Sequence, residues 1–338
     1  MANPHRAAAL VGAESLLGRD LREVIESRKL PLRLKLISAT DKEEAAAGIL
    51  SELGGEPVFI SSLKAGELDG VDFVFLAGPR GSAAETLKHI AGDAKPPMLL
   101  DLTGALEEQP AARLRAPAAE DPGTAQAAPI VVIAHPAAIV LAMFLRQLRQ
   151  AGVIRRVVTQ IFEPVSERGQ RGIDELQKQT VALLSLQKLK QDVFDAQVSF
   201  NLLPRYGEEA MKSLEDVETD VDRHLATLLS KTPEIPLPSV NVAHAPVFHG
   251  YTMSLWVEFE NRPAMEVLSA GLKTADIEVR TGDEEPPSNV GAAGQSGITV
   301  GSIHEDRNDG RAVWFWIVAD NLRVTAENAA EVVREALG

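Results

Sequence analysis

Up to about residue 135, short, uniformly apolar runs alternate with segments of helical spacing. This rhythm constrains the fold more than any other feature of the chain. Residues 7–11 are apolar throughout and end at Gly12. Leu16, Leu17, Leu21, Val24 and Ile25 then recur at the spacing of one helix face. Residues 32–37 predict an alternating strand and residues 71–77 and 98–102 further buried strands, with a helix over 82–90. A strand that is apolar at every position is buried on both faces. Helices between such strands supply the covering layers, so the pattern predicts a parallel sheet wound with helices on both sides. The Ala- and Pro-rich residues 109–128 read as a surface loop.

The rhythm changes after Pro136. A helix is predicted over 137–151, a strand over 155–165, and two long helices over 172–193 and 208–230. Strands with two-residue alternation follow at 239–247, 252–260, 297–304 and 312–318, broken by a loop at 281–295. Long strands after long helices predict an α+β second domain with a mixed sheet. Leu183, Leu184, Leu186, Leu189 and Val193 read as one helical stripe, for core or dimer packing. Trp314, Phe315 and Trp316 read as core or interface packing. An amphipathic helix over 321–337 closes the chain of 338 residues, a length suited to two domains.

A formal net charge of −14 and the lack of a basic stripe argue against nucleic acid. No apolar run has the length of a membrane span. The segment before residue 7 is too short for a signal peptide, so a cytoplasmic location is expected. The chain has no cysteine, which excludes disulfides, thiolate metal sites and thiol nucleophiles.

Several motifs carry a resemblance. Residues 11–18 read Val-Gly-Ala-Glu-Ser-Leu-Leu-Gly. Residues 131–140 run from a strand into His135-Pro136-Ala137-Ala138, and residues 165–176 read Val-Ser-Glu-Arg-Gly-Gln-Arg-Gly-Ile-Asp-Glu-Leu. Phe200-Asn201-Leu202-Leu203-Pro204 and Asp320-Asn321-Leu322-Arg323 follow in order. Together these resemble the aspartate-semialdehyde dehydrogenase family over nearly the whole chain. The resemblance implies an α/β fold with a Rossmann-like NAD(P)-binding domain, residues 1–135 and 319–338. It also implies an α+β dimerisation domain of mixed sheet, residues 136–318, and a C-terminal helix returning to the first domain. A homodimer through the second domain and a role in amino-acid biosynthesis belong to the same expectation.

Position by position, the family's chemistry is missing. Ala138 stands where the family has its cysteine nucleophile, and Glu163 where it has a Gln. Tyr251 replaces the acid/base His, and His244 replaces the Arg that grips the substrate carboxylate. A neutral imidazole lacks the guanidinium fork, and a phenol of pKa about 10 is a poor base at neutral pH. Glu107 reverses the charge of the phosphate-binding Arg, and His304 ends the family's Gly-Arg-Ile-Arg. In the cofactor loop Gly12 and Gly18 remain. Ser15 replaces the middle glycine and Glu14 places a charge beside it, so NAD or NADP should bind weakly. Asp41 would disfavour NADP further. Gly12 and Gly18 are equally explained as turn and packing glycines. No metal is expected: His135, His244, His249, His304 and Glu163 offer no close-spaced pair, since 244 and 249 would face opposite sides of a strand. The leading expectation is a homologue without thioester chemistry, binding a small ligand or protein partner. The alternative is an oxidoreductase using Tyr251, Glu163 and His135 or His249 without cysteine.

Overall fold

The strand β1 (Arg6–Val11) lies between β2 (Leu32–Ser38) and β5 (Phe73–Leu76), parallel to both. Its residues from Ala8 onward are buried, as the apolar run predicts. The computed structural model describes residues 5–39, 49–53, 56–92, 95–121, 123, 128–282 and 284–338. The remaining first-unit elements are α1 (Leu16–Ser27), β3 (Ile49–Leu53), β4 (Glu56–Ser62), α2 (Arg80–Ile90), β6 (Met98–Asp101), β7 (Ala112–Arg115) and β8 (Ile130–Ile133). The sheet order is β3-β4-β2-β1-β5-β6-β8-β7, parallel except for the β3–β4 hairpin. Strand order reverses beside β1, which creates a switch-point crevice at the carboxyl ends of β1 and β5.

The second unit holds α3 (Pro136–Leu148), β9 (Ile154–Glu163), α4 (Gly169–Leu184), α5 (Leu214–Leu228), β10 (Ser239–His244), β11 (Tyr251–Phe259), α6 (Met265–Leu272), β12 (Ile277–Val279), α7 (Asn289–Ala292), β13 (Ile298–Glu305) and β14 (Ala312–Ala319). Its sheet runs β10-β9-β11-β14-β13-β12. The outer pairs β10–β9 and β12–β13 are parallel and the three inner pairs antiparallel, so the sheet is mixed. The helix α3 is buried at every position from Pro136 to Leu145, which fits its apolar sequence. Phe144 meets Phe315 edge-on, with ring centroids 5.1 Å apart. The indole N–H groups of Trp256 and Trp314 both donate to Oδ2 of Asp306, at 3.0 and 2.8 Å. The chain's own contacts divide it into Met1–Ala134 with Thr325–Gly338, and His135–Val324. Most of α8 (Asn321–Leu337) therefore belongs with the first unit.

Several expectations need correction. The helix expected over 172–193 ends at Leu184, and Leu186 adopts a left-handed φ of 55°. Leu184 and Leu186 are 75% and 96% exposed while Val193 is buried, so the leucine stripe is not one helical face. The helix expected from 208 starts at Leu214, where Ser213 and Asp216 form a capping box. The expected loop 109–128 contributes an edge strand, β7. The sequence reading missed β3, β4, α6, β12 and α7, none longer than eight residues.

Candidate functional site

Sheet register assembles the second unit's polar centre. Glu163 ends β9 and pairs with His244, which ends β10. Tyr251 opens the neighbouring strand β11. Three of the four positions singled out for chemistry therefore lie at one end of three adjacent strands. The fourth, Ala138, lies in the first turn of α3 and is fully buried.

Glu163 is buried, and its carboxylate is held from two sides. Arg168 donates through Nη1 to Oε1 at 3.2 Å and through Nη2 to Oε2 at 3.3 Å. Tyr206 donates its hydroxyl to Oε2 at 2.8 Å. The Arg168 guanidinium also lies over the Tyr206 ring, 5.6 Å from its centroid. His244, also fully buried, has Nδ1 3.1 Å from the Tyr206 hydroxyl and Nε2 3.1 Å from the Val198 carbonyl. A carbonyl only accepts, so the His244 proton sits on Nε2. Burial holds the His244 pKa below its ordinary value, and burial with the charge of Glu163 pushes that of Tyr206 up.

A second group adjoins it. Asn321 donates to Glu167 Oε1 at 2.7 Å and accepts from Ser166 Oγ and the Gly250 N–H, each at 3.1 Å. His135 caps α3 through Nδ1, which accepts the Ala137 N–H at 3.3 Å. Its Nε2 lies 3.4 Å from the Tyr251 hydroxyl and 3.9 Å from Glu167 Oε2. Burial, followed by the charge of Glu163, pushes the Glu167 carboxyl up to about 7. Burial, followed by the cations Lys212, His224 and Arg168, lowers the His135 pKa well below its ordinary value. Tyr251, 1% exposed, is raised well above the phenol range by burial and then by Glu167 and Glu163. Glu167 thus exchanges a proton near neutrality, while Tyr251 holds its own.

Arg168, Glu167, Tyr206 and Asn321 were not singled out from sequence. A signal existed for two of them. Where the resembled motif reads Val-Ser-Gly-x-Gly, this chain has Glu167 and Arg168, two charged side chains in place of a glycine and its neighbour. His249 lies beyond β10, which ends at His244, so the opposite-faces reading of that pair fails. His304 is on β13, exposed, its Nδ1 2.8 Å from the Ser302 carbonyl. Among the described residues no group of three or more His, Asp or Glu is arranged to hold a metal ion.

In the first unit, the loop from β1 to α1 carries Gly12, Ser15 and Gly18. Gly12 has φ +89°, and an added Cβ would stand 2.3 Å from the Gly78 nitrogen. A Cβ on Gly18 would stand 2.3 Å from the Gly12 carbonyl oxygen. Packing alone accounts for both glycines. Ser15 caps α1: its hydroxyl accepts the Gly18 N–H and donates to the Ala77 carbonyl, both at 2.8 Å. One helix-terminal N–H that a pyrophosphate could use is thereby engaged. Glu14 does not point at the helix terminus, as the sequence suggested. Its Oε1 accepts from Ser38 Oγ and the Ala39 N–H, each at 3.0 Å, at the end of β2. Its Oε2 is buried with no hydrogen-bond partner. Ser15 thus engages part of the α1 N-terminus, and Glu14 Oε2 stands as an unsatisfied acceptor beside β2. Asp41 lies outside the described residues.

A doubly wound parallel sheet followed by a mixed-sheet unit defines the architecture of a two-domain semialdehyde dehydrogenase. Residues 145–324 match the family described as "Semialdehyde dehydrogenase, dimerisation domain". The chain belongs to the semialdehyde dehydrogenase family, that of the aspartate-semialdehyde dehydrogenases. It is 30% identical to a USG-1 protein homolog of Azotobacter vinelandii, over 96% of this chain and 95% of that one. It is 26% identical to the aspartate-semialdehyde dehydrogenase of Rickettsia bellii, over 97% of each. The structure of a probable aspartate-semialdehyde dehydrogenase from Pseudomonas aeruginosa superposes with a TM-score of 0.83 at 27% identity, covering 98% of both chains.

Proposed function

We propose that this chain is a non-catalytic member of its family, a homodimeric cytoplasmic scaffold that binds a ligand or partner without thioester chemistry. The observation that carries this reading is the engagement of Glu163 and His244 with Arg168 and Tyr206. The position matching the substrate-handling Gln is hydrogen-bonded to Arg168 and Tyr206, and the one matching the Arg donates to the Val198 carbonyl and lies against the Tyr206 hydroxyl. The nucleophile position is Ala138, so no thiohemiacetal can form there. A dinucleotide-binding domain over 1–135 and 319–338, and a dimerisation domain over 136–318, belong to the same reading. A bound dinucleotide would supply hydride chemistry. Gly12, Ser15, Gly18 and Glu14 would contact it in the first unit.

The deciding experiment incubates the purified chain with aspartate semialdehyde, NADP and phosphate. No NADPH forms if the reading holds, and phosphate-dependent turnover overturns it. One observation favours a second reading, an oxidoreductase without cysteine: the Glu167 carboxyl, at about 7, stands 3.9 Å from His135 Nε2. In that case, NAD-dependent oxidation or NADH-dependent reduction of simple aldehydes is abolished by Glu167→Gln.

A further inference from the structure

The chain carries 48 acidic residues against 34 basic, yet one cavity of the second unit gathers cations. Its volume is about 670 Å3, and Arg171, Lys178, Lys188 and Lys190 line it. Small-molecule sites commonly occupy about 300–1,000 Å3. All four residues are exposed, so a solute reaches them from solvent. None of the four side chains is in an ion pair or hydrogen bond with another described residue. Like charges gathered without counter-charge repel one another, and an incoming anion relieves that repulsion.

Both walls of the cavity come from one reversal of the chain. After α4, Leu186 in its left-handed conformation closes a Schellman turn. Its N–H donates to the Leu183 carbonyl at 3.3 Å, and that of Gln187 to the Ala182 carbonyl at 2.8 Å. The segment then runs back along α4. Gln179 donates to the Lys190 carbonyl at 2.9 Å, and Glu175 accepts the Val193 N–H at 2.7 Å. These bonds set 187 beside 182, 190 beside 179 and 193 beside 175. Lys178 on the helix and Lys188 and Lys190 on the returning segment therefore stand at one end of the cavity. Arg171, seven residues before Lys178, lies about 10 Å further along the helix axis. Three carboxylates line the stretch between, those of Asp174, Glu175 and Asp192. The Glu175 oxygens are occupied by the N–H groups of Val193 and Phe194. Asp174 Oδ1 accepts from Gln170 at 2.8 Å, which leaves Oδ2 and the Asp192 carboxylate as acceptors.

We propose that this cavity binds a small sugar bisphosphate. One phosphate sits among Lys178, Lys188 and Lys190. The other sits on Arg171, whose planar guanidinium suits two phosphate oxygens at once. Hydroxyls of the sugar between them donate to Asp174 and Asp192. Val181, Ala182 and Val193 supply apolar contact for its carbon skeleton. Because the returning segment is bonded to α4, the cations are held in place before the ligand arrives. The cavity shares no lining residue with the Glu163 and His244 centre. The proposal goes beyond the non-catalytic reading and stands or falls separately from it.

Calorimetric titration of the intact chain with fructose 1,6-bisphosphate and with fructose 6-phosphate tests the proposal without turnover. The bisphosphate should bind once per chain, at least about tenfold more tightly than the monophosphate. Lys190→Ala should weaken the bisphosphate at least about fivefold. Arg171→Ala should bring the bisphosphate within about twofold of the monophosphate, whose own affinity hardly moves. Asp192→Ala separates a shaped site from general attraction by its sign. Loss of a hydroxyl acceptor weakens binding in a shaped site, whereas removing an acid strengthens attraction to a merely basic patch. Lys231→Ala makes the same charge change as Lys190→Ala at an exposed position outside the cavity, and should leave the affinity unchanged. Thermal unfolding by circular dichroism reports whether each variant is folded, and the folded ones decide. No binding at millimolar bisphosphate overturns the proposal, as do equal affinities for the bisphosphate and the monophosphate. So does an unchanged affinity in Lys190→Ala, tighter binding by Asp192→Ala, or an equal loss in Lys231→Ala. None of these outcomes touches the turnover test of the preceding subsection.

Discussion

Arg168 grips both carboxylate oxygens of Glu163, at 3.2 and 3.3 Å, and the two side chains are 6% and 1% exposed. Such a sealed pair adds little against an apolar replacement, but breaking it on one side strands a buried charge. Glu163→Gln should therefore cost about 3–5 kcal/mol of unfolding free energy. Glu163→Gln with Arg168→Met should recover most of that loss. Urea denaturation of the two single variants and the double variant measures the coupling. Additive losses would show that the pair acts as two independent residues.

Ala138→Cys places a thiol in the first turn of α3, at a position that is fully buried. Glu163, His244 and Tyr251 are unchanged in that variant, so it should still show no phosphate-dependent reduction of NADP. Steady-state absorbance at the nicotinamide band checks this. Turnover from the single change would mean that the polar centre opens to substrate.

Glu167 gives a pH signature. Its carboxyl titrates at about 7 in the folded chain and at about 4.3 when unfolded. Between those values the folded state holds the extra proton. The stability contribution is complete below about pH 4.3 and is lost as pH rises through about 7. A sealed group would lose about 4 kcal/mol across that window; with 16% of this side chain exposed, about 2–3 kcal/mol is expected. His135 and His244, both lowered, act in the opposite sense below pH 6.5. The difference between the unmodified chain and Glu167→Gln isolates the glutamate. If chemical denaturation across this range gives a flat difference curve, the carboxyl is ionised throughout.

Ser15 bonds both the Gly18 N–H and the Ala77 carbonyl. Ser15→Ala should cost about 1 kcal/mol, and Ser15→Gly only a few tenths as a cap. Paired thermal melts distinguish the two, and equal losses would show that the Ala77 contact dominates.

Among the described residues, exposed large apolar side chains fall almost wholly in the second unit, with Val181, Leu184, Leu186, Phe200 and Leu202 among them. Such surface calls for a covering partner. Light scattering at micromolar concentration should give twice the 36.3 kDa chain mass. A monomeric mass would refute the homodimer.

The fold was legible where periodicity was long. The buried parallel strands β1, from Ala7 onward, and β5 are apolar throughout, and β11 alternates in burial over 253–257, whereas β14 is apolar at every position. Short elements such as β12, with three residues, carry too few positions to show a period. Helix ends at Leu184 and Leu214 depended on a left-handed turn and a capping box, which periodicity does not encode. The site was legible as positions but not as bonds. Glu163, His244 and Tyr251 converge because β9, β10 and β11 are neighbours. Arg168 reaches Glu163 across the five residues before α4, but Tyr206 closes on Glu163 and His244 only because the segment after α4 folds back, and nothing in local spacing announces that. Glu14 shows the same gap, since its charge was readable and its direction was not.

The chain's three tryptophans, Trp256, Trp314 and Trp316, all lie on β11 and β14. Two of them share one acceptor, Asp306, on the turn that joins β13 to β14. Intrinsic fluorescence therefore sees only the mixed sheet, and the doubly wound sheet is optically dark at the indole band. A melt followed by indole emission, overlaid on one followed by backbone dichroism, becomes a two-channel readout. Coincident traces mean that both sheets are lost in one cooperative step, and separated traces give the order in which they go.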